Sequence, residues 1–275
     1  MTVPYHPKLG VVALLRFKST ILQSTLQSFT FWCLMILHAL CLYLNENYDM
    51  WELEWSSFQP VLSLATFFLV FYAGSCYARF YQLHYDCIGI LGAMLDWTSD
   101  AKLFFPEKPD LQWNLCRLML CSMQMTFCTL DEGKEVAQSQ WDNMQHNNLV
   151  SSEEIEVIKE FRGFQPFLPI VWALDEARAV LGRELPNSFF IMHFREQAYT
   201  MRRHACNITF MLQQPIPFAY YHVLKLLLLV SLLLLSYAIS QLLEESKAFC
   251  YFIYATVCMI MLGLEDVSVA MADPF

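Results

Sequence analysis

VLSLATFFLVFYAGSCYARFYQ, residues 61–82, carries a single charge, Arg79. A helix through an apolar run of this kind reads as a membrane span. At about 100° per residue, Ser63, Phe67, Phe71, Gly74 and Ala78 share one face of it, with Ala65, Ala73 and Cys76 on the far side. A serine and two phenylalanines in line admit two readings. The phenylalanines face lipid, or several copies of the helix surround an axis and the rings form an apolar collar.

Three further runs have the same character, and together they set the fold class as all-α. The spans are expected at about 21–44, 61–78, 216–242 and 248–271. The third is the clearest, with LLLLVSLLLLSYAI at its centre, and the fourth is interrupted by Glu265 and Asp266. Composition agrees. The chain has 275 residues, of which 56% are hydrophobic and 16% charged, against about 25% charged in soluble domains. Mean hydropathy is +0.36. A net charge of −9 argues against a nucleic-acid partner, because phosphate binding needs a basic surface. Of the 10 cysteines, Cys33, Cys41, Cys76, Cys250 and Cys258 sit in apolar runs, and no CxxC pair occurs. They read as reduced, mostly buried small hydrophobes.

Orientation follows from Lys and Arg beside the spans. Lys8, Arg16 and Lys18 precede the first span, and Arg79 follows the second. The connection after the first span carries Glu46, Asp49, Glu52 and Glu54 with no basic residue. The expectation is four crossings with both termini cytoplasmic, and Trp51 and Trp55 in an outer interfacial belt. The N-terminal MTVPYHPKLGVVALLRFKST shows no signal or transit character. The plasma membrane is therefore the favoured location, with an intracellular or thylakoid membrane as the alternative.

Residues 80–215 form a long insertion expected in the cytoplasm, and its pattern is helical throughout. Asp110 heads one helix, and Ser151 with Glu154 spells a capping box. Pro169 and Gly182 bracket another helix, and Pro215 and Pro217 interrupt the chain before the third span. The least helical segment is 131–150, a loop or short helix. The Asn207-Ile-Thr209 sequon then faces the cytoplasm, unglycosylated. With no repeat evident, the whole of 1–275 reads as a single domain.

Enzyme chemistry finds little support. GxSxG, HExxH, P-loop and GxGxxG motifs are absent. His84 with Asp86, and His204 with Cys206, come nearest to catalytic pairings, and neither has metal or triad spacing. Each reads first as an ordinary polar or core residue.

Five segments in order resemble the bestrophin family. MTVPY resembles the opening of its animal members. FYAGSCYARFYQ carries a Phe-Tyr followed, eight residues after the Phe, by Arg and two aromatics. LPIVW, 168–172, is similar to the family's Val-Pro-x-Val-Trp. Arg202 precedes QQPIPFAYYHV, which resembles the family's run into its third span. GLEDVSVAMADPF is similar to its closing Asn-Pro-Phe segment. The resemblance implies a homopentameric anion channel in a lipid bilayer. The apolar neck falls at Ser63, Phe67 and Phe71, where Ser63 departs from the usual Ile of animal members. A cytoplasmic aperture falls at Phe189, or at Phe190 if the register slips by one.

The resemblance also implies a calcium clasp of backbone carbonyls, with Asp273 standing for the usual Asn and acidic side chains beyond Phe275, where the sequence stops. Permeant monovalent anions would be chloride and more weakly hydrated ions. Alternatives are a bicarbonate-conducting channel of an intracellular membrane, or a subunit or scaffold inactive alone. Within the spans, Lys225 is expected to pair with Glu265 or Asp266, because an intramembrane charge is normally paired or faces water.

Overall fold

The computed structural model describes residues 20–48, 51, 54–131, 136–184, 188–241 and 246–274. All regular structure in these residues is helical. The order is α1 (Ile21–Gln27), α2 (Phe29–Asn47), α3 (Trp55–Phe104), α4 (Pro109–Asp131), α5 (Gln138–His146), α6 (Ser152–Glu160), α7 (Leu168–Glu184), α8 (Ser188–Gln213), α9 (Phe218–Ser240) and α10 (Lys247–Ala272). Of these, α2, α3, α9 and α10 are long and apolar enough to cross a membrane. The chain divides into two compact units, one of residues 1–81 with 215–274, the other of residues 82–214.

Two helix limits differ from the limits of the expected spans. The first span is broken at Ser28, whose backbone is extended, so α1 and α2 are separate helices. The break frees carbonyls at the end of α1, and the Trp32 indole N–H donates to that of Leu26 at 2.8 Å. The helix that carries the second span does not stop near Ala78; it runs for 50 residues, about 75 Å at 1.5 Å per residue, against roughly 30 Å of bilayer hydrocarbon. No proline interrupts α3 after Pro60. Its buried positions keep helical spacing past the apolar run, at Leu83, Asp86, Ile90, Ala93, Trp97 and Ala101.

In the first unit, α2 buries Phe31, Leu34, His38 and Leu42 at spacings of three and four residues. They meet Leu224, Leu228 and Leu232 of α9 and Cys250, Tyr254 and Cys258 of α10. Serines let the helices approach closely. Ser231 and Ser240 donate within their own helix, and Ser236 meets His38 Nδ1 at 3.1 Å. The opposite side of α2 exposes Phe29, Trp32, Ile36, Leu40 and Tyr43, a patch suited to lipid. At the far end, Asn45 donates to the Ser240 carbonyl, Tyr237 to the Trp51 carbonyl, and Lys247 pairs with Glu46 at 2.7 Å.

In the second unit, Trp97 is fully buried against Phe194 of α8 and donates its indole N–H to the Leu115 carbonyl of α4. Ala93, Ala101, Ala173, Ala177 and Ala198 keep the surrounding helices close. The segment 131–150 contains α5, whose Trp141 and Met144 pack with Ile155 and Ile158 of α6 on Cys121 and Met125 of α4. The Ser151 hydroxyl accepts from the Glu154 N–H while the Glu154 carboxylate accepts from the Ser151 N–H, forming the capping box. The same carboxylate receives both terminal nitrogens of Arg117 at 2.9 and 3.0 Å. Burial alone would raise the Glu154 pKa, but Arg117 and the Ser151 N–H outweigh it and hold the carboxyl below its ordinary value. Burial pushes the Cys121 thiol up to about 12, so it stays protonated and inert.

Candidate functional site

The exposed face of α3 in the first unit is built by what lies behind it. Ala65, Leu69, Tyr72 and Cys76 are buried against the other helices of that unit. This turns Ser63, Phe67, Phe71, Gly74 and Ala78 outward. Phe67 is 62% exposed and Phe71 64%. Their rings stack at 6.1 Å with 23° between planes. A Cβ built on Gly74 meets nothing within 4 Å. Thr66 and Ser75 bond back to the carbonyls of Leu62 and Phe71, which removes their hydroxyls from competition. From Trp55 to Ala78 the helix has no charged side chain. The face is apolar and neutral, with one hydroxyl at Ser63 and open space at Gly74.

Lys225 Nζ lies 2.6 Å from Glu265 Oε1 and 2.7 Å from Oε2. Glu265 is 2% exposed. Asp266, one position on and so about 100° round α10, is exposed. Arg79 donates its Nε–H to the Ala272 carbonyl at 2.7 Å and ties the end of α10 to α3. Asp273 follows with an exposed side chain and extended backbone. Among the described residues, no three His, Cys, Asp or Glu side chains gather to hold a metal ion.

In the second unit, Phe189 stands in the first turn of α8, with its side chain outside those described. Phe190 is half-buried, its ring edge-on to Phe104 at 4.9 Å. Asp86 is buried and binds His204 Nδ1 at 2.7 Å. Gln82 and Asn207 also donate to it. Neither this link nor Arg79 to Ala272 has a signal in the sequence, because each joins distant segments. The sequence paired Asp86 with His84 and His204 with Cys206; the structure brings Asp86 to His204 instead.

A sequence model described as "Bacterial/Fungal Bestrophin protein" matches residues 2–275. The chain belongs to the bestrophin family. It is similar to the crystal structure of a bacterial bestrophin homologue from Klebsiella pneumoniae, with a TM-score of 0.78 at 14% identity, covering 90% of this chain and 88% of that one. A structure of that homologue carrying a point mutation gives a TM-score of 0.77 at 14% identity with the same coverage. No curated protein sequence matches. Bestrophin membership with four long apolar helices makes the chain a multi-pass membrane protein. It points to an anion channel rather than an enzyme.

Proposed function

We propose that five copies of this chain surround an axis lined by α3 and conduct chloride and other monovalent anions, with Ser63, Phe67 and Phe71 as the neck. The observation that carries this is the stacked pair Phe67 and Phe71, turned outward on a face that the chain's own helices leave open. Farther along α3, Ile88, Leu91 and Leu95 are exposed as well. If that stretch stands outside the bilayer, this apolar surface calls for cover by neighbouring copies.

The neck acts through hydration. Rings of phenylalanine offer an ion no ligand, so conduction requires the collar to be wet, and a dry collar is closed. Large, weakly hydrated anions give up least on entering. The ring edges carry partial positive charge, and the Ser63 hydroxyl can donate a hydrogen bond at the mouth. Below the rings, Gly74 and Ala78 withdraw side-chain bulk and widen the path.

Reconstitution of the full chain in bilayers tests the reading. In asymmetric sodium chloride the reversal potential moves towards the chloride equilibrium value, and mass measurement in detergent gives a pentamer. A reversal potential at the sodium value, no current at all, or another stoichiometry overturns it.

Calcium control is a separate proposal resting on Asp273 alone. Asp273 would offer its backbone carbonyl, since among the described residues no three His, Cys, Asp or Glu side chains gather to hold a metal ion. Chelating calcium on the cytoplasmic side lowers the current if the clasp operates; an unchanged current overturns it.

A further inference from the structure

The collar helix is held from behind by two tyrosines of α9, one of which is fixed by a buried charge. Tyr72, next in sequence to Phe71, is buried on the rear face of α3. Its ring lies 5.8 Å from that of Tyr220 and 6.0 Å from that of Tyr221. Tyr220 also packs on Phe68 and donates its hydroxyl to the Phe68 carbonyl at 3.4 Å. Tyr221 donates instead to Glu265 Oε1 at 3.2 Å, the carboxylate that Lys225 grips through both oxygens. Long aromatic side chains therefore bridge α3 to α9, and the placement of Tyr221 is set from α10.

An intramembrane carboxylate persists only where donors face it and the local structure pairs its charge. Glu265 has such donors, is almost wholly buried, and contributes no charge to the exposed face of α3. Its hydrogen bond from Tyr221 has a charged acceptor, which favours it, and at 3.2 Å it is longer than the roughly 2.5–2.7 Å of the strongest such bonds. A tyrosine ring held in this way restricts where Tyr72 can stand. A few degrees of rotation of α3 moves Tyr72 and Phe71 together, because they share one helical backbone.

We propose that Glu265 is a positioning residue for the collar, acting through Tyr221 and Tyr72 on the orientation of Phe71. This rests on the reading that Phe67 and Phe71 line the pore. Its signature is a change in gating without a change in selectivity. A merely structural role would lower assembly or stability and leave the open probability of surviving channels alone.

The test is single-channel recording from the reconstituted full chain. Tyr221→Phe keeps the ring and removes the donor. It should shift open probability by roughly tenfold, the scale of a hydrogen bond to a charged group, while unitary conductance and the iodide-to-chloride permeability ratio stay put. Glu265→Gln should shift it in the same sense; if that variant does not assemble, Tyr221→Phe carries the test. In a Phe67→Ala, Phe71→Ala background the effect of Tyr221→Phe should vanish. An unshifted Tyr221→Phe channel, with gating still altered by the paired alanines, overturns the positioning role and leaves the collar standing. An equal shift in both backgrounds overturns it too, since Tyr221 would then act elsewhere. Paired alanines with no effect of their own overturn the collar reading and this inference with it.

Discussion

His204 Nδ1 lies 2.7 Å from Asp86 Oδ1 across 118 residues of chain, joining α8 to α3. The approach depends on Gly89, one turn along α3. A Cβ there would stand 2.5 Å from His204 Nε2 and 2.6 Å from two ring carbons. The imidazole cannot retreat without losing Asp86, whose burial leaves few other partners.

Gly89→Ala is therefore expected to destabilise the fold by about 1–3 kcal/mol, the scale of overpacking a close contact. Gly92→Ala is the control. Nothing lies within 4 Å of a Cβ at that position, so the substitution should be neutral or add up to about 1 kcal/mol from helix propensity. Melting temperatures in detergent read both. Equal melting temperatures for the two variants would mean the His204 contact is not there.

Replacing Phe67 and Phe71 together by Ala should widen and wet the collar, giving current that depends little on regulating conditions. Ser63→Ile should do the reverse by lengthening the dry stretch. Bilayer recordings of both variants check this. Normal gating in each would return the stripe to a lipid-facing role.

Phe189→Ala is expected to change the permeability ratio between large and small anions and to leave gating largely intact. Phe190 is held against Phe104, so Phe190→Ala should instead lower the melting temperature. A selectivity change with Phe190→Ala alone would move the aperture one position along.

Lys225→Met removes the main partner of Glu265 and leaves an uncompensated buried carboxylate, a loss of about 3–5 kcal/mol by analogy with other broken buried pairs. The double change Lys225→Met with Glu265→Gln should recover part of that loss, and Lys225→Met with Asp266→Asn should not, because Asp266 faces outward. Oligomer yield and melting temperature report the coupling. Additive losses in both doubles would show that the pair contributes nothing.

Acid stability should depend on Glu154. Its folded pKa is depressed below the ordinary 4.5. The stabilisation is therefore present in full above that value and is lost as pH falls through the lower folded value. Glu154→Gln should lower stability at neutral pH and flatten this part of the acid limb in denaturant titrations. An acid limb unchanged by the substitution would count against the Arg117 contact.

The fold class was legible because long apolar runs with almost no charges leave few alternatives, and the capping box at Ser151 and Glu154 marked a helix start by chemistry alone. The extent of α3 was not. Hydropathy falls after Ala78, but helical periodicity does not, and the eye follows the first. The break at Ser28 was hidden for another reason, since Gln23, Ser24, Thr25, Gln27 and Thr30 around it are uncharged and neither proline nor glycine marks the turn. The stripe of Ser63, Phe67 and Phe71 could be read as a face, though not what it faces, because that depends on copies of the chain. Lys225 and Glu265 stood out as charges in apolar surroundings. Tyr221 did not, since a tyrosine near a span end is ordinary until its hydroxyl is seen on a carboxylate.

The length of α3 makes it a reading frame. In the second unit its buried residues recur at three and four positions from Leu83 to Ala101, so every side chain after a given point there inherits its direction from those that precede it. One residue added near position 92 would swing the following turns through about 100° and turn Trp97 and Ala101 away from the core that Leu83 and Ile90 pack into. Steps of about seven or eleven residues, each close to whole turns, come near to restoring the face. Natural length variation in relatives of this chain should therefore collect in connections such as 105–108 and 161–164. A helix of this kind evolves by substitution and scarcely by insertion.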